Sequence, residues 1–312
     1  MTLLPFLITS LFIQANNSKL TEIVKFATIN EAKELLLQED KFTQSWSPFD
    51  IDSRMQKKNS SKEELLELIV TQAKAWTTEE KEIISTILKE IDDLIKKQNF
   101  HISFPESLYF IKTTTLEEGS AQGYTRSNYI ILNEKLALKD REDLKGTIIH
   151  ELFHILTRAN PEFRKELYSI IGFEIMKEID YPQKLKPFRI TNPDAPQTDS
   201  YISLKVDGQP VDCMMILYAT ENYDGGDFFK YLNIGFLALT DDTIKKAKLD
   251  GDTPIVYSMK DVSGFAEQVG TNTQYIIHPE EILAENFKLA LLNVKDLPNP
   301  EITEAIQEKL RK

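Results

Sequence analysis

The sequence contains one short motif whose residue types and spacing are typical of a metal site. His150, Glu151 and His154 form an H-E-x-x-H pattern inside an apolar stretch that runs from Ile148 to Leu156. If this stretch is a helix, residues four apart lie on one face, so both imidazoles can converge on one ion. Glu151 then lies beside the ion rather than on it, where it can take a proton from a water molecule.

The apolar surroundings favour a metal ion over a pair of hydrogen-bonded core histidines. Neighbours such as Ile149 and Phe153 predict that the helix is buried. Buried polar groups without partners are costly, and one zinc ion would satisfy both histidines at once. A catalytic zinc site has three protein ligands and one open position, so a third ligand must come from elsewhere in the chain.

A later segment provides the best candidate for the third ligand. No glycine or histidine follows His154 at the spacing of a three-histidine site, which favours a carboxylate. The stretch 278–287 opens a helix at a proline and carries Glu281 and Glu285 one turn apart. A solvated acidic helix end is the alternative interpretation, because carboxylates favour helix N-termini for electrostatic reasons alone.

The two motifs together resemble those of the gluzincins, the thermolysin-like group of zincin metallopeptidases. In that group a second helix supplies a glutamate ligand, and an acidic residue four positions later orients a ligating histidine. The resemblance implies that Glu281 is the third zinc ligand and that Glu285 is the partner of His150 or His154. Glu280 is the alternative ligand, although no acidic residue follows it at that spacing.

The resemblance also implies a reaction, the zinc-dependent hydrolysis of amide bonds in peptide or protein substrates. Zinc would polarise the scissile carbonyl, and Glu151 would act as the general base. Tyr275 and His278 precede the second helix and are the candidates for stabilising the oxyanion, with Arg126 behind them. The alternative is a zinc-stabilised binding or structural protein without turnover, although such a protein has no use for a base at Glu151.

One further stretch matches the zincin pattern. In zincins an edge strand just before the metal-binding helix often pairs with extended peptide through its backbone. The stretch Gly123–Ile130 occupies the corresponding place, which makes Tyr124 and Arg126 candidate substrate-binding residues. A plain surface strand is the alternative.

Hydrophobic patterning along the chain predicts an α+β fold with a zincin-like catalytic core. We predict a helical N-terminal region at 16–98, the core at 99–178, a β-rich insertion between the two metal-binding helices at 179–277, and a C-terminal helix segment at 278–312. The predicted helices are 18–39, 62–74, 77–98, 141–159, 162–178 and 279–293. The predicted strands are 101–112, 123–132, 201–206 and 231–240. A turn is predicted at 45–50 and a charged tail after 293.

Composition narrows the partners and the location. The net charge of −12 argues against nucleic acid as a partner, because an acidic surface repels phosphate groups. Residues 1–15 have the length and apolar core of a signal peptide, which predicts a periplasmic or secreted protein with no integral membrane segment after signal removal. No Lys or Arg precedes the apolar run, so a cytoplasmic protein with a buried N-terminal element is the alternative.

Overall fold

The computed structural model describes residues 19–136 and 140–312, so the predicted signal peptide at 1–15 lies outside the described residues. The helices are α1 Leu20–Ile23, α2 Ile29–Leu36, α3 Lys41–Gln44, α4 Pro48–Met55, α5 Lys62–Thr71, α6 Thr78–Lys97, α7 Arg141–Ala159, α8 Pro161–Ile170, α9 Phe265–Val269, α10 Pro279–Leu292 and α11 Pro300–Leu310. The strands are β1 Val24–Phe26, β2 Ala73–Lys74, β3 Leu108–Thr113, β4 Gly123–Arg126, β5 Tyr129–Asn133, β6 Phe173–Ile175, β7 Ser200–Val206, β8 Gln209–Tyr218, β9 Asn233–Ala238, β10 Leu249–Asp250, β11 Thr253–Pro254 and β12 Val256–Tyr257. Among these described helices, none has both the length and the apolar character needed to cross a lipid bilayer. The α+β class predicted from the sequence is confirmed.

The first sheet positions an edge strand near the predicted metal site. Its strand order is β1-β3-β5-β4, with β2 also pairing with β3. Strands β1, β3 and β5 are parallel, whereas β4 runs antiparallel to β5 across a two-residue turn. Ser127 in that turn has a φ of 48°, the left-handed conformation that tight hairpins require. Strand β4 therefore forms one edge of this sheet.

Apolar side chains on both faces of this sheet are covered by helices. On one face, Phe110 and Ile130 belong to the main core with residues of α6 and α7. On the other face, Ile111 and Ile131 belong to a second cluster with residues of α2 and α5. This alternation along β3 and β5 is the period-two pattern expected of a strand buried on both sides. One face of the sheet thus packs against α7.

The second sheet lies in the segment between α8 and α9. It is antiparallel throughout, with the order β12-β9-β8-β7-β6. Its longest hairpin turns at Asp207 and Gly208, which both have positive φ values as a two-residue hairpin turn requires. Strands β7 to β12 all fall within the range predicted to be β-rich. This sheet therefore separates the two candidate metal-binding helices in sequence.

Helices α7 and α10 pack against each other although the second sheet separates them in the chain. Phe153 on α7 and Phe287 on α10 are almost fully buried, with ring centroids 5.4 Å apart. Ala284 is also fully buried at this helix pair, and its small side chain permits a close approach. This packing brings the acidic first turn of α10 to the histidines of α7.

Several element predictions were wrong in detail. The predicted helix 18–39 is interrupted by β1, because Val24–Phe26 pairs in parallel with β3 and tertiary pairing overrides the helical spacing. The predicted helix 162–178 ends at Ile170, where Gly172 takes a φ of 77° and the chain enters β6. The predicted strand 123–132 is two strands, β4 and β5, and only residues 108–112 of the predicted strand 101–112 belong to a strand. Helix α4 begins inside the predicted turn 45–50, and the predicted charged tail contains α11.

We predict that the packing of Phe287 between α7 and α10 stabilises the protein. Phe287→Ala removes a ring that is 1% exposed, so the free energy of unfolding of the metal-free protein should fall by about 3–5 kcal/mol. The control Phe229→Ala removes a ring that is 72% exposed, and it should change that free energy by no more than about 0.5 kcal/mol. Equilibrium unfolding in urea measures both, and equal effects would contradict the assigned packing.

Candidate metal centre

Helix α7 carries the H-E-x-x-H residues and is buried along most of its length. Asp140 caps its start by accepting a hydrogen bond from the backbone N–H of Glu142 at 2.7 Å, and Pro161 begins the next helix directly after its end. His154 is fully buried and Glu151 is 3% exposed, so both polar side chains have lost contact with water. Polar groups in such a position require partners within the protein or a bound ion.

Helix α10 delivers carboxylates to the same place from its first turn. His278 caps this helix, because its Nδ1 accepts the backbone N–H of Glu280 at 3.1 Å, and Pro279 occupies the first helical position. Glu280 and Glu281 follow in the first turn and are 2% and 1% exposed. The positive end of the helix dipole favours these buried negative charges. His278 therefore has a structural contact, and its predicted catalytic role stays a prediction.

His150, His154 and Glu281 converge into a group that can hold a metal ion. Glu281 Oε2 lies 3.0 Å from His150 Nε2 and 3.6 Å from His154 Nε2. Ligands arranged tetrahedrally around zinc at its usual bond lengths are about 3.3 Å apart, so these separations bracket that spacing. These are the three ligands predicted from the sequence.

The outer nitrogens of both imidazoles face carboxylates. His150 Nδ1 lies 2.9 Å from Glu285 Oε1, and His154 Nδ1 lies 3.4 Å from Glu280 Oε1. A carboxylate that accepts the Nδ1 proton fixes the tautomer and leaves Nε2 free to bind a metal. Both histidines are thus oriented with Nε2 towards Glu281. Glu285 makes the contact predicted for it, while its effect on a bound ion stays a prediction.

Glu280, predicted from the sequence only as an alternative ligand, contacts His154, and this contact was not predicted. Glu280 also accepts hydrogen bonds from Thr157 and, at 2.6 Å, from the Tyr168 hydroxyl, and Arg164 Nε lies 3.7 Å away. These contacts hold the carboxylate against His154. The adjacent acidic pair at the start of the helix was the available signal, because neighbouring helical residues point in different directions and can serve different histidines.

Two buried atoms at this site have no hydrogen-bond partner among the described residues. They are His154 Nε2 and Glu151 Oε2. A metal ion would satisfy the first, and a water molecule beside that ion would satisfy the second. Because unpartnered buried polar atoms are costly and uncommon, the residues present fit a bound cation.

Strand β4 approaches the Glu151 carboxylate closely. A Cβ atom placed on Gly123 would lie only 2.9 Å from Glu151 Oε1, so a larger residue at this position would displace the Glu151 carboxylate. The edge strand and the predicted base therefore border the same space. The side chains next along the strand point elsewhere: the Tyr124 hydroxyl donates to Glu117 at 3.0 Å, and Arg126 binds Asp40 at 2.7 Å.

The predicted accessory residues differ in their distance from the metal-binding group. Tyr275 is 46% exposed, and its ring centroid lies 6.2 Å from that of His150, so it borders the site. Tyr124 and Arg126 are almost fully buried and are committed to internal contacts, including bonds from Arg126 to the carbonyls of Leu36 and Gln38. A substrate-binding role for these two side chains stays a prediction, because the sequence pattern located the strand but not the direction of its side chains.

A loop between β6 and β7 contacts the metal-binding group. Asn192 Nδ2 donates to Glu281 Oε1 at 2.6 Å. Asp194, together with Glu151 and His154, forms a second group of potential metal ligands whose contributing atoms lie within 4.8 Å of one another. No sequence spacing signals these contacts, because they depend on how the loop folds back over α7.

Mutual charge interactions shift the pKa values of the whole cluster. Burial alone would lower the pKa of His150, but its hydrogen bonds with Glu281 and Glu285 raise that pKa to about 9. Burial raises the pKa of Glu151 to about 8, and the charge of Asp194 acts in the same direction. Burial alone would raise the pKa values of Glu280 and Glu285, but their histidine partners lower each to about 2. In the absence of a metal ion, protons on the histidines compensate the carboxylates.

Comparison of the chain with protein-family models, with curated proteins and with solved structures gave no match.

We predict that the metal-free protein loses stability as the pH rises from about 6.5 to 9. The pKa of His150 is about 9 in the folded state against an ordinary value of 6.5, so its stabilisation is complete below pH 6.5 and disappears as the pH passes 9. The pKa of Glu151 rises from 4.5 to about 8 on folding, so the folded protein keeps this proton while the unfolded chain releases it. The free energy of unfolding therefore also falls between pH 4.5 and 8. Urea unfolding in chelator should show this fall, with a smaller fall in Glu151→Gln; a constant or rising free energy of unfolding would contradict it.

We predict that removing the carboxylate behind His150 weakens metal binding without removing a ligand. In Glu285→Gln the Nδ1 proton faces a neutral amide, so zinc affinity should fall about 10- to 100-fold. Glu267→Gln on α9 makes the same change at an exposed carboxylate and should leave the affinity unaltered. Competition with a chromophoric chelator measures both constants, and an unchanged affinity in Glu285→Gln would show that this contact does not orient the histidine.

Proposed function

We propose that the protein is a zinc-dependent metallopeptidase of the zincin type in which Glu151 is the general base. One observation carries the proposal: Oε2 of the buried Glu151 carboxylate has no hydrogen-bond partner in the described part of the chain, and it lies next to two imidazoles whose outer nitrogens are both engaged by carboxylates. A site that only binds a structural ion has no need of this additional base.

Residues of the chain would hold the ion and fix its geometry. His150, His154 and Glu281 would be the ligands, Glu285 and Glu280 would orient the histidines, and Asn192 would hold the second oxygen of Glu281. Zinc bound there would supply Lewis acidity for a scissile carbonyl and for a water molecule. The mixed nitrogen and oxygen donors suit zinc, whereas calcium and magnesium prefer oxygen donors alone.

Glu151 would move the protons of the reaction. In the metal-free protein burial raises the pKa of Glu151 to about 8. The positive charge of a bound zinc ion would lower that pKa, so the carboxylate would be ionised and able to accept a proton near neutral pH. It would accept a proton from water as the water attacks the carbonyl carbon, and it would donate that proton to the amine as the carbon–nitrogen bond breaks. Tyr275 borders the site and has an exposed side chain, so it is the candidate donor to the oxyanion.

The edge strand supports a peptide as the substrate class. Extended peptides bind edge strands by backbone pairing, and β4 is an edge strand on which a Cβ atom at Gly123 would lie 2.9 Å from the Glu151 carboxylate. A peptide paired with β4 would have its backbone carbonyls beside the base. The acidic net charge of −12 is compatible with this substrate class and unfavourable for nucleic acid.

A zinc-stabilised protein without turnover is a second candidate, favoured by one observation. Asp194 lies close to Glu151 and His154 and can complete a shell of protein ligands. A shell that is permanently closed has no position for a substrate carbonyl. The two candidates differ in whether zinc-loaded protein hydrolyses peptide bonds and whether Glu151 is needed.

We predict that Glu151→Gln abolishes hydrolysis while zinc binding persists. Loss of the base should lower kcat for a labelled casein about 10²- to 10⁴-fold, and zinc content should stay at one ion per chain as in the unaltered protein. Glu142→Gln on the same helix changes a carboxylate whose side chain is 71% exposed, and it should leave kcat unaltered. Fluorescence release and metal analysis provide the two measurements.

Two results would contradict the proposed function. Undiminished hydrolysis in Glu151→Gln would exclude this residue as the base. Zinc content that persists in the His150→Ala and His154→Ala variants would exclude the assigned ligands.

A further inference from the structure

The loop Thr191–Pro196, here called the 191–196 loop, is fastened across the candidate metal centre. Buried Asp50 accepts hydrogen bonds from the backbone N–H and the hydroxyl of Thr191, both at 3.0 Å. Arg54 donates to the Thr191 carbonyl at 3.1 Å, and Arg189 donates to the Pro196 carbonyl at 2.8 Å. The loop therefore has fixed ends on both sides of the site.

The middle of this loop binds the edge strand. Asp194 Oδ1 accepts the backbone N–H of Thr125 at 2.6 Å and the Thr125 hydroxyl at 2.7 Å. Arg158 on α7 donates both to the Thr125 hydroxyl and to the Asp194 carbonyl. In an edge strand, alternate N–H groups point away from the sheet and are the groups that an added strand uses. Asp194 therefore occupies a backbone donor that an extended peptide would need.

The same carboxylate lies on the Glu151 side of the metal-binding group. Glu151, His154 and Asp194 each offer one atom within 4.8 Å of the others, and His154 is shared with the group that contains His150 and Glu281. The open position of a catalytic zinc site is the position next to the base. A movement of about 1–2 Å by Asp194 would bring these atoms to the spacing of zinc ligands.

We propose that Asp194 is a fourth metal ligand that closes the open position, so that the 191–196 loop holds the site in a latent state. This inference rests on the proposed function. The loop already makes one contact that a peptide would make, because Asp194 accepts the Thr125 N–H, and it carries an oxygen close enough to reach a bound metal after a small movement. A peptide substrate can therefore displace the loop by replacing these contacts with two of its own carbonyls, and a free site exists only when the loop has moved.

The experiment measures metal and inhibitor binding rather than turnover. Cobalt replaces zinc, because its visible absorption reports the ligand shell, and acetohydroxamate serves as a probe that binds an open metal position. In Asp194→Asn the affinity for the metal should fall at least about tenfold, since a charged ligand is lost. The affinity for acetohydroxamate should rise at least about tenfold, because no carboxylate competes for the position. Opposite changes in the two affinities identify a ligand, whereas general loosening of the site weakens both.

A second variant tests whether the 191–196 loop closes the open position, without altering any ligand. Arg158→Gln removes the donors to the Thr125 hydroxyl and to the Asp194 carbonyl. Acetohydroxamate should bind more tightly to it than to the unaltered protein, while the affinity for cobalt changes less than in Asp194→Asn. The control Asp252→Asn removes a carboxylate that is 82% exposed on the β10–β11 turn and should change neither constant.

The outcomes separate this inference from the proposed function. One outcome is that cobalt binds with the absorption spectrum of a four-coordinate site while Asp194→Asn alters neither the spectrum nor the acetohydroxamate affinity. That result would contradict the closure by Asp194 and would leave the assignment of the metal site intact. If Asp194→Asn weakens the binding of both cobalt and acetohydroxamate, Asp194 only supports the fold and does not close the open position. If cobalt binding persists without His150 and His154, the metal site itself is wrong.

Discussion

The arrangement of the site depends on two hydrogen bonds that join helix α10 to helix α7. Glu285 engages Nδ1 of His150, and Glu280 engages Nδ1 of His154. Burying an ion pair costs several kcal/mol for each charge unless the geometry and the remaining hydrogen bonds compensate. Here Thr157 and Tyr168 supply such bonds to Glu280, so the pair that orients His154 is supported on both sides. Apolar packing between the helices keeps water away from the contact between His154 and Glu280, whereas Glu285 stays partly exposed.

The cluster contains more carboxylates than imidazoles, and the contacts of Lys288 with Glu285 and of Arg164 with Glu280 offset part of the negative charge. Five carboxylates surround two histidines: Glu151, Glu280, Glu281, Glu285 and Asp194. In a medium of low dielectric constant, like charges at these distances repel strongly. Protonated histidines offset part of this repulsion, which is why the pKa of His150 rises to about 9. A divalent ion would replace those two protons with an equal charge and would bind the inward nitrogens and the carboxylate directly.

The sequence predicted the parts of the structure that depend on local chemistry. Helix α7 begins and ends at the predicted residues, because the Asp140 cap and the Asn160-Pro161 stop act within one turn. The spacing of Glu281 and Glu285 likewise led to the prediction that Glu281 joins the two histidines and that Glu285 engages one of them, and the histidine that Glu285 contacts is His150. The position of Asp194 and the inward direction of Arg126 had no local signal, since both depend on partners far away in the chain. Strand β1 was missed for the same reason, because its partner lies 84 residues later.

The order of residues along the chain has a consequence for how the protein is made. His150 and Glu281 are 131 residues apart, and the whole second sheet lies between them. During synthesis the histidine helix therefore emerges from the ribosome long before the acids that orient it. A nascent chain halted inside the second sheet would hold both imidazoles without the carboxylates of α10. Tight capture of a metal ion thus becomes a late step of biogenesis, which can follow only after the sheet has formed and α10 has docked.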